Sequence, residues 1–160
     1  MTTKLLMVAL SMVAGTMGGL ILSKRLSRRA EYFDALLNLN NLIISEVKFR
    51  KSTTKAILSE FVKTSNSPLN STLNEYILCG DISKLTISKG VLTKAEAAEI
   101  KKFLLSLGTA DSVTQIFELE NYKVKFIQMK EAAFEKRKKY GGMYVKLGFL
   151  LGIAIGIIII

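Results

Sequence analysis

The residue types that usually carry enzyme chemistry are scarce in this chain. It contains no His and a single Cys, Cys79, which leaves no imidazole metal site, no Ser-His or Cys-His nucleophilic pair and no internal disulfide. It also has no Gly-Lys-Ser/Thr sequence for phosphate binding and no Gly-x-Ser-x-Gly turn for a serine nucleophile. We therefore predict a protein that is not an enzyme and that uses neither a metal nor a cofactor.

Two remaining pairs of reactive side chains have unsuitable geometry. Glu118 and Glu120 are two residues apart, so on a helix they point to different faces and do not act as a catalytic pair. Ser23 and Lys24 are neighbours that diverge on a helix, and neither has an orienting partner. Nucleic-acid binding is not expected either, because the aromatic residues fall mainly on apolar helix stripes and are not interleaved with the cations.

Two apolar segments indicate an integral membrane protein. Residues 5–22 are apolar except for Ser11 and Thr16, and residues 147–160 contain no polar side chain. A hydrocarbon core of ~30 Å needs ~20 helical residues, and residues 143–160 provide eighteen if Lys146 extends its amine to the headgroups. We predict transmembrane helices at 1–23 and 143–160, with a cytosolic domain at 24–142. A secretory signal peptide is the alternative for the first segment, but its stronger charge follows the apolar run.

Cations collect beside these two segments in a chain of net charge +10. Since cationic flanks stay in the cytosol, we predict that both termini lie outside it, in a two-pass topology. The same cations are expected to contact anionic membrane lipid. They are Lys24, Arg25, Arg28, Arg29, Lys136, Arg137, Lys138 and Lys139.

Glycines recur one helical turn apart in both apolar segments. Small residues at this spacing allow close approach of helix backbones in a membrane, so we predict that these positions pack against each other within the chain or against a neighbouring copy. The predicted packing residues are Gly15, Gly19, Gly148, Gly152 and Gly156.

The intervening domain has helical periodicity throughout, which predicts an all-α fold: a helical-bundle cytosolic domain between N- and C-terminal transmembrane helices. A first cytosolic helix is expected over residues 30–50, with Asn40 inside its apolar stripe and Glu46 on its solvated flank. Residues 52–54 can cap a second helix, and Ser67-Pro68 can begin a third that ends at Gly80. Residues 81–89 can form a short helix or an irregular segment, and Cys79 is expected to be a small buried hydrophobe.

The two remaining helices have clear start signals. Thr93 and Glu96 form a capping box for a helix that Gly108 closes. Asp111 can cap the last helix, a charged amphipathic arm. The apolar positions of that arm are Val113, Ile116, Phe117, Val124, Ile127 and Phe134.

Across almost its whole length the chain resembles the stage III sporulation protein AB family of endospore-forming bacteria. The likeness rests on Thr16, Gly19 and Lys24, then Glu46-Val47, then Leu107-Gly108 with Asp111 and Gln115, and finally Met143, Lys146-Leu147-Gly148, Leu150 and Gly152. The chain differs from the family at Ile21, where an acidic residue is common, and over residues 49–54, where a Tyr-Gly-x-Thr-Pro-Leu turn is common.

This resemblance implies a cytosolic domain similar to the F-domain of type II secretion platform proteins. It also implies a place in the secretion-like channel between mother cell and forespore, in the mother-cell membrane, with other channel subunits and a cytosolic ATPase as partners.

We therefore expect a non-enzymatic membrane scaffold that docks an ATPase. The alternative is a basic, membrane-anchored lipid-binding or signalling adaptor outside any channel. The charged residues expected to contact a partner are Lys123, Lys125, Lys130, Glu118, Glu120 and Glu131.

Overall fold

The regular structure is helical in all the residues that the computed structural model describes, which are 2–49, 53–79, 87 and 91–159. This confirms the all-α class for those residues. The elements are α1 Thr2–Phe49, α2 Thr54–Thr64, α3 Leu69–Cys79, α4 Lys94–Ser106 and α5 Ser112–Ile159.

The chain divides into two compact units. One consists of Met1–Arg28 with Ala132–Ile160 and is called the hairpin unit below; the other is Arg29–Glu131 and is called the core unit. Residues 24–28 and 132–142 thus belong to the same unit as the apolar segments, although they were predicted to belong to the intervening domain.

Helices α1 and α5 are each continuous over 48 residues. The predicted helix over residues 30–50 is therefore present as far as Phe49, but it continues the helix of the first apolar segment and does not begin near residue 30. The physical reason is that no Gly or Pro occurs between Ser23 and Phe49, so nothing in the sequence ends the helix. The Gly141-Gly142 pair does not interrupt α5 either, although each Gly costs about 1 kcal/mol relative to Ala in a helix interior.

The core unit buries one apolar face from each of its helices. Asn40 is fully buried on the α1 face, where its Nδ2 donates a hydrogen bond to the carbonyl oxygen of Leu119 over 3.0 Å. The largest fully buried side chains of this unit are Tyr32, Phe33, Leu36, Leu39, Ile43, Leu58, Leu69, Leu73, Ile100, Phe103, Leu104 and Phe126.

Glu46 corrects an expectation about this core. It was predicted to lie on a solvated flank, but only 9 % of it is exposed, because the buried face of α1 is wider than the apolar stripe that helical spacing predicts, which is Phe33, Leu36, Leu37, Ile43, Ile44 and Val47. Ala35 and Leu39 widen that face in the same way.

Local capping signals around α4 and α5 are confirmed. Thr93 Oγ1 accepts a hydrogen bond from the Glu96 amide, and the Thr93 amide donates to Glu96 Oε2 over 2.8 Å. Gly108 follows α4 with a φ of 77°, a left-handed conformation in which a side chain would be strained. Asp111 Oδ2 accepts hydrogen bonds from the amides of Val113 and Thr114. The pKa of the Asp111 carboxyl is lowered by a hydrogen bond from the Thr114 side chain and by these backbone hydrogen bonds.

The connection between α2 and α3 differs in detail from the prediction. Thr53 occupies the N-cap of α2 but its side chain makes no capping hydrogen bond, and α3 begins at Leu69, one residue after Pro68. Asn70 fixes the turn instead: its Oδ1 accepts from the hydroxyls of Ser65 and Ser67, and its Nδ2 donates to the Ser65 carbonyl.

Several predictions lie outside the described residues. They concern Ser52, Gly80 and the segment 81–89 apart from Ile87, which is buried. Cys79 is the last residue of α3, but its side chain is outside the described set.

Candidate functional site

The glycines of the two apolar segments meet within the hairpin unit. A Cβ atom built on Gly152 would lie 2.8 Å from both the Cα of Met12 and the carbonyl oxygen of Ser11. One built on Gly15 would lie 2.9 Å from the Cα of Gly152 and would also overlap the carbonyl oxygen of Gly148. Residue numbers rise along α1 as they fall along α5, so the two helices pack antiparallel.

The rest of this contact has the same character. A Cβ on Gly19 would lie 2.5 Å from the Tyr144 carbonyl oxygen, and one on Gly156 would lie 3.0 Å from the Ser11 hydroxyl. The Ser11 hydroxyl donates to the Gly152 carbonyl oxygen over 3.1 Å, a polar contact between the helices. Gly18 is the contrast, because an added Cβ there would have no atom within 4 Å.

Large apolar side chains of the hairpin unit point outward. Leu10, Ile21, Leu150 and Ile157 are all well exposed, whereas Gly19 and Gly152 are buried. A water-soluble core has the opposite arrangement, with large aliphatic groups inside. Helices that pack in lipid place small residues at their contact and aliphatic residues outside. In addition, α1 and α5 are both long and apolar enough to cross a membrane.

Most of the flanking cations are exposed on the hairpin unit. Lys24, Arg25, Arg28 and the run 136–139 all have exposed side chains. Two of them lie over aromatic rings, Arg137 over Phe134 at 6.0 Å and Lys139 over Tyr140 at 5.3 Å.

Arg29 differs from the other predicted lipid contacts. It belongs to the core unit, where its guanidinium pairs with Glu96 of the α4 capping box and lies 5.9 Å from the centre of the Phe33 ring. Burial by itself would raise the pKa of Glu96, but hydrogen bonds from Thr93 and Arg29 lower it. Arg29 therefore joins α1 to α4, and its use as a headgroup contact is not supported by this geometry.

Three of the six predicted partner residues pair within the core unit. Lys125 pairs with Glu99, Lys130 with Asp34 at 2.5 Å, and Glu120 with Lys48 at 3.4 Å. The hydrogen bond from Lys125 lowers the pKa of the Glu99 carboxyl and raises that of the Lys125 amine. The other three residues are the half-buried Glu118 and Lys123 and the exposed Glu131.

The apolar face of α5 points in an unexpected direction. Val113, Phe117 and Val124 are 78 %, 68 % and 58 % exposed, and Phe134 is also exposed. The face that is buried in the core unit carries Gln115, Leu119 and Phe126 instead. A sequence signal for this was available, because Tyr122 and Phe126 lie on the side opposite Phe117 and both pack edge-on against Phe103 of α4.

No three residues with metal-binding side chains (His, Cys, Asp or Glu) come together within the part of the chain that the structure describes. The features that distinguish this molecule are thus two surfaces: the glycine contact of the hairpin unit and the exposed apolar face of α5.

Comparison with known proteins identifies a family whose model matches part of the chain. The model of the stage III sporulation protein AB family matches residues 82–160, which include the whole of α4 and α5. This match confirms the family resemblance over residues 82–160. The family is described as one of sporulation proteins. The matched residues 82–160 include the outward apolar face of α5 and three of the five contact glycines. No curated protein matches the chain, and no solved structure matches it.

Proposed function

We propose that this chain is a non-enzymatic scaffold subunit of a secretion-like membrane channel that joins mother cell and forespore during endospore formation. Its two apolar helices anchor it in the mother-cell membrane, and its core unit lies in the cytosol and docks the ATPase that powers the channel. The observation that carries this proposal is the hairpin unit, because close glycine packing inside and exposed aliphatic side chains outside suit a lipid environment.

Helix continuity supports the docking role. Since α5 is one helix from Ser112 to Ile159, the apolar segment and the outward face at Val113, Phe117 and Val124 belong to a single element. The sporulation family match covers this same helix, and the channel and ATPase partners follow from the family resemblance.

The test is recovery of the full-length chain from native membranes in a mild detergent, followed by identification of copurifying proteins. A scaffold subunit is expected to bring an ATPase and other membrane proteins with it in stoichiometric amounts. Recovery of the chain alone under several gentle conditions would refute the proposal.

The proposed topology has its own test. The exposed cations at Lys24, Arg25 and the run 136–139 favour the cytosol as the location of residues 24–142, with both termini on the other side. In a Cys79→Ala background, Thr3→Cys should react with an impermeant maleimide from outside, and Ser65→Cys should not. The reverse labelling pattern would contradict the proposed topology and, with it, the proposed contact with a cytosolic ATPase.

The exposed basic run at 136–139 also supports a second function, a lipid-binding or signalling adaptor outside any channel. Mixing the purified full-length chain with vesicles that contain or lack anionic lipid distinguishes the adaptor from the scaffold. An adaptor should bind anionic vesicles strongly and copurify with no ATPase.

A further inference from the structure

We propose that the outward face of α5 is a docking surface for an amphipathic helix of a partner protein, and that this partner helix carries Lys or Arg side chains on its apolar face. The proposal rests on the docking role above, because it names the surface through which the core unit engages its partner. We call the surface the α5 stripe, defined by Val113, Phe117, Glu120, Val124 and Glu131.

Geometry makes these five residues one surface. At about 100° per residue they lie within about 40° of a single line along α5, and from residue 113 to residue 131 they extend over about 27 Å. The buried residues Gln115, Leu119 and Phe126 lie on the opposite side of the helix. The α5 stripe therefore faces away from the core unit, and its length suits a helix of about five turns.

Three large apolar side chains in a row are an unusual feature on this surface. Each of Val113, Phe117 and Val124 exposes more than half of its surface area. A single exposed apolar residue is normal on a protein surface. A contiguous row of them is typical of an interaction surface. Phe117 lies within this row, and aromatic residues including Phe are enriched at the cores of protein interfaces.

The charge of the α5 stripe indicates which kind of partner binds it. Glu120 and Glu131 are exposed within the apolar row, so the α5 stripe is acidic in a chain of net charge +10. An anionic membrane surface would be repelled by these carboxylates. The pair between Glu120 and Lys48, at 3.4 Å with both side chains about half exposed, is a weak surface pair and leaves Glu120 able to bind another cation.

A second copy of the chain also fits poorly. Copies inserted in one membrane through the same helix carry α5 with the same polarity, so a symmetric contact along the α5 stripe would place equivalent residues opposite each other. Glu120 would then face Glu120 and Glu131 would face Glu131 inside an apolar contact, which is unfavourable. A partner helix with Lys or Arg at matching positions satisfies both carboxylates.

The experiment introduces a photoreactive benzoylphenylalanine at Phe117 or Val124 of the full-length chain in native membranes. The expected result is an adduct with the same protein from both positions, in which the cross-linked peptide is an amphipathic helix containing Lys or Arg. The matched control places the same probe at Leu105 of α4, which is 55 % exposed but lies outside the α5 stripe, and should not give this adduct. An adduct of two copies of this chain, an adduct with lipid only, or no adduct would each overturn the proposal.

Substitution gives an independent readout. Phe117→Ala should reduce recovery of the cross-linked partner about tenfold near the binding midpoint, whereas Leu105→Ala should not change it. Both positions are exposed, so the helical circular dichroism of either variant should equal that of the unchanged chain. The double variant Glu120→Lys with Glu131→Lys should likewise stay folded and lose the partner. Full recovery by Phe117→Ala or by the double variant would contradict the proposal.

The two proposals fail separately. If the unchanged chain recovers the ATPase and Phe117→Ala recovers it equally well, the α5 stripe is not the docking surface but the scaffold role stands. If the unchanged chain recovers no ATPase, the scaffold role fails, and the cross-linked peptide still decides whether the α5 stripe binds a basic amphipathic helix.

Discussion

Replacing Gly152 with Leu should separate the two helices of the hairpin unit. A Cβ atom added at this position would lie 2.8 Å from the Cα of Met12 and from the carbonyl oxygen of Ser11, whereas ordinary contact begins at 3.4 Å. Both are backbone atoms, which cannot rotate away as a flexible side chain can. Even Ala therefore requires a local separation of at least 0.6 Å, and the three further carbon atoms of Leu require more.

The energetic effect follows from what that separation removes. The Ser11 hydroxyl loses its 3.1 Å hydrogen bond to the Gly152 carbonyl oxygen, and the backbone contacts at Gly15 and Gly148 open with it. A hydrogen bond between helices in a membrane is worth on the order of 1–2 kcal/mol in model peptides, so loss of this one should weaken the association of α1 with α5 by about that amount. Insertion should be unaffected, because Leu is favourable at the centre of a bilayer.

Gly18→Leu is the matched control, since it makes the same chemical change in the same unit at a position with no atom within 4 Å. The assay is the dipolar distance between spin labels at Val13 and Leu150, both exposed, in a Cys79→Ala background in lipid nanodiscs. Gly152→Leu should lengthen and broaden that distance, and Gly18→Leu should leave it unchanged. An unchanged distance in Gly152→Leu, or equal lengthening in both variants, would refute the packing argument.

Three further predictions concern the core unit. Asn40→Leu should lower the free energy of unfolding by no more than about 1 kcal/mol in denaturant titrations, because loss of the hydrogen bond from Nδ2 to the Leu119 carbonyl oxygen is partly offset by removal of the buried Oδ1, which has no hydrogen-bond partner within the described residues; a loss of about 3 kcal/mol would show that both ends of the amide are satisfied. Burial raises the pKa of Tyr32 to about 12, so stability that is complete below pH 10 should fall by about 3 kcal/mol as the pH rises to 12. Tyr32→Phe should remove most of that fall in alkaline unfolding curves. Although burial opposes it, hydrogen bonds from Thr93 and Arg29 lower the pKa of Glu96; its contribution to stability is therefore present above the unfolded pKa and lost as the pH falls through the folded one. Glu96→Gln should reduce the loss of stability at acid pH in unfolding curves. An acid unfolding curve that is the same in both proteins would contradict a stabilising role for the pair of Arg29 and Glu96.

Features that depend on a few neighbouring residues were predictable from the sequence. The capping box at Thr93 and Glu96, the left-handed Gly108 and the Asp111 cap all follow from bonds formed within four residues. The apolar segments were equally clear, because membrane length and composition are properties of a short window.

Features that depend on distant partners could not be read in this way. Arg29 was grouped with the lipid-facing cations because of its neighbours in sequence, but its partner Glu96 lies 67 residues further on. Glu46 was predicted to face solvent because helical spacing predicts a narrower apolar face for α1. The residues that pack against α1 bury a wider face, which includes Glu46. Asn70 closes the turn between α2 and α3 with side-chain bonds that no residue preference indicates.

Helix α5 shows why hydrophobic periodicity does not reveal which face is buried. It carries two apolar faces, and the face with Val113, Phe117 and Val124 fits the 3.6-residue period as well as the face with Leu119 and Phe126 does. Burial goes to the second face because Phe126, together with Tyr122, packs against Phe103 of α4. A helix that buries one apolar face and exposes a second has one face more than the core of its own unit requires.

The hairpin unit and the α5 stripe both expose large apolar side chains, but their chemistry indicates different surroundings. The exposed side chains of residues 147–158 are entirely apolar, which suits a medium that offers no hydrogen bonds. Glu120 and Glu131 interrupt the α5 stripe, and carboxylates at a contact require cations or water. Lipid satisfies the first surface and cannot satisfy the second. A protein partner that supplies both apolar area and positive charge can cover the α5 stripe without leaving a carboxylate unpaired.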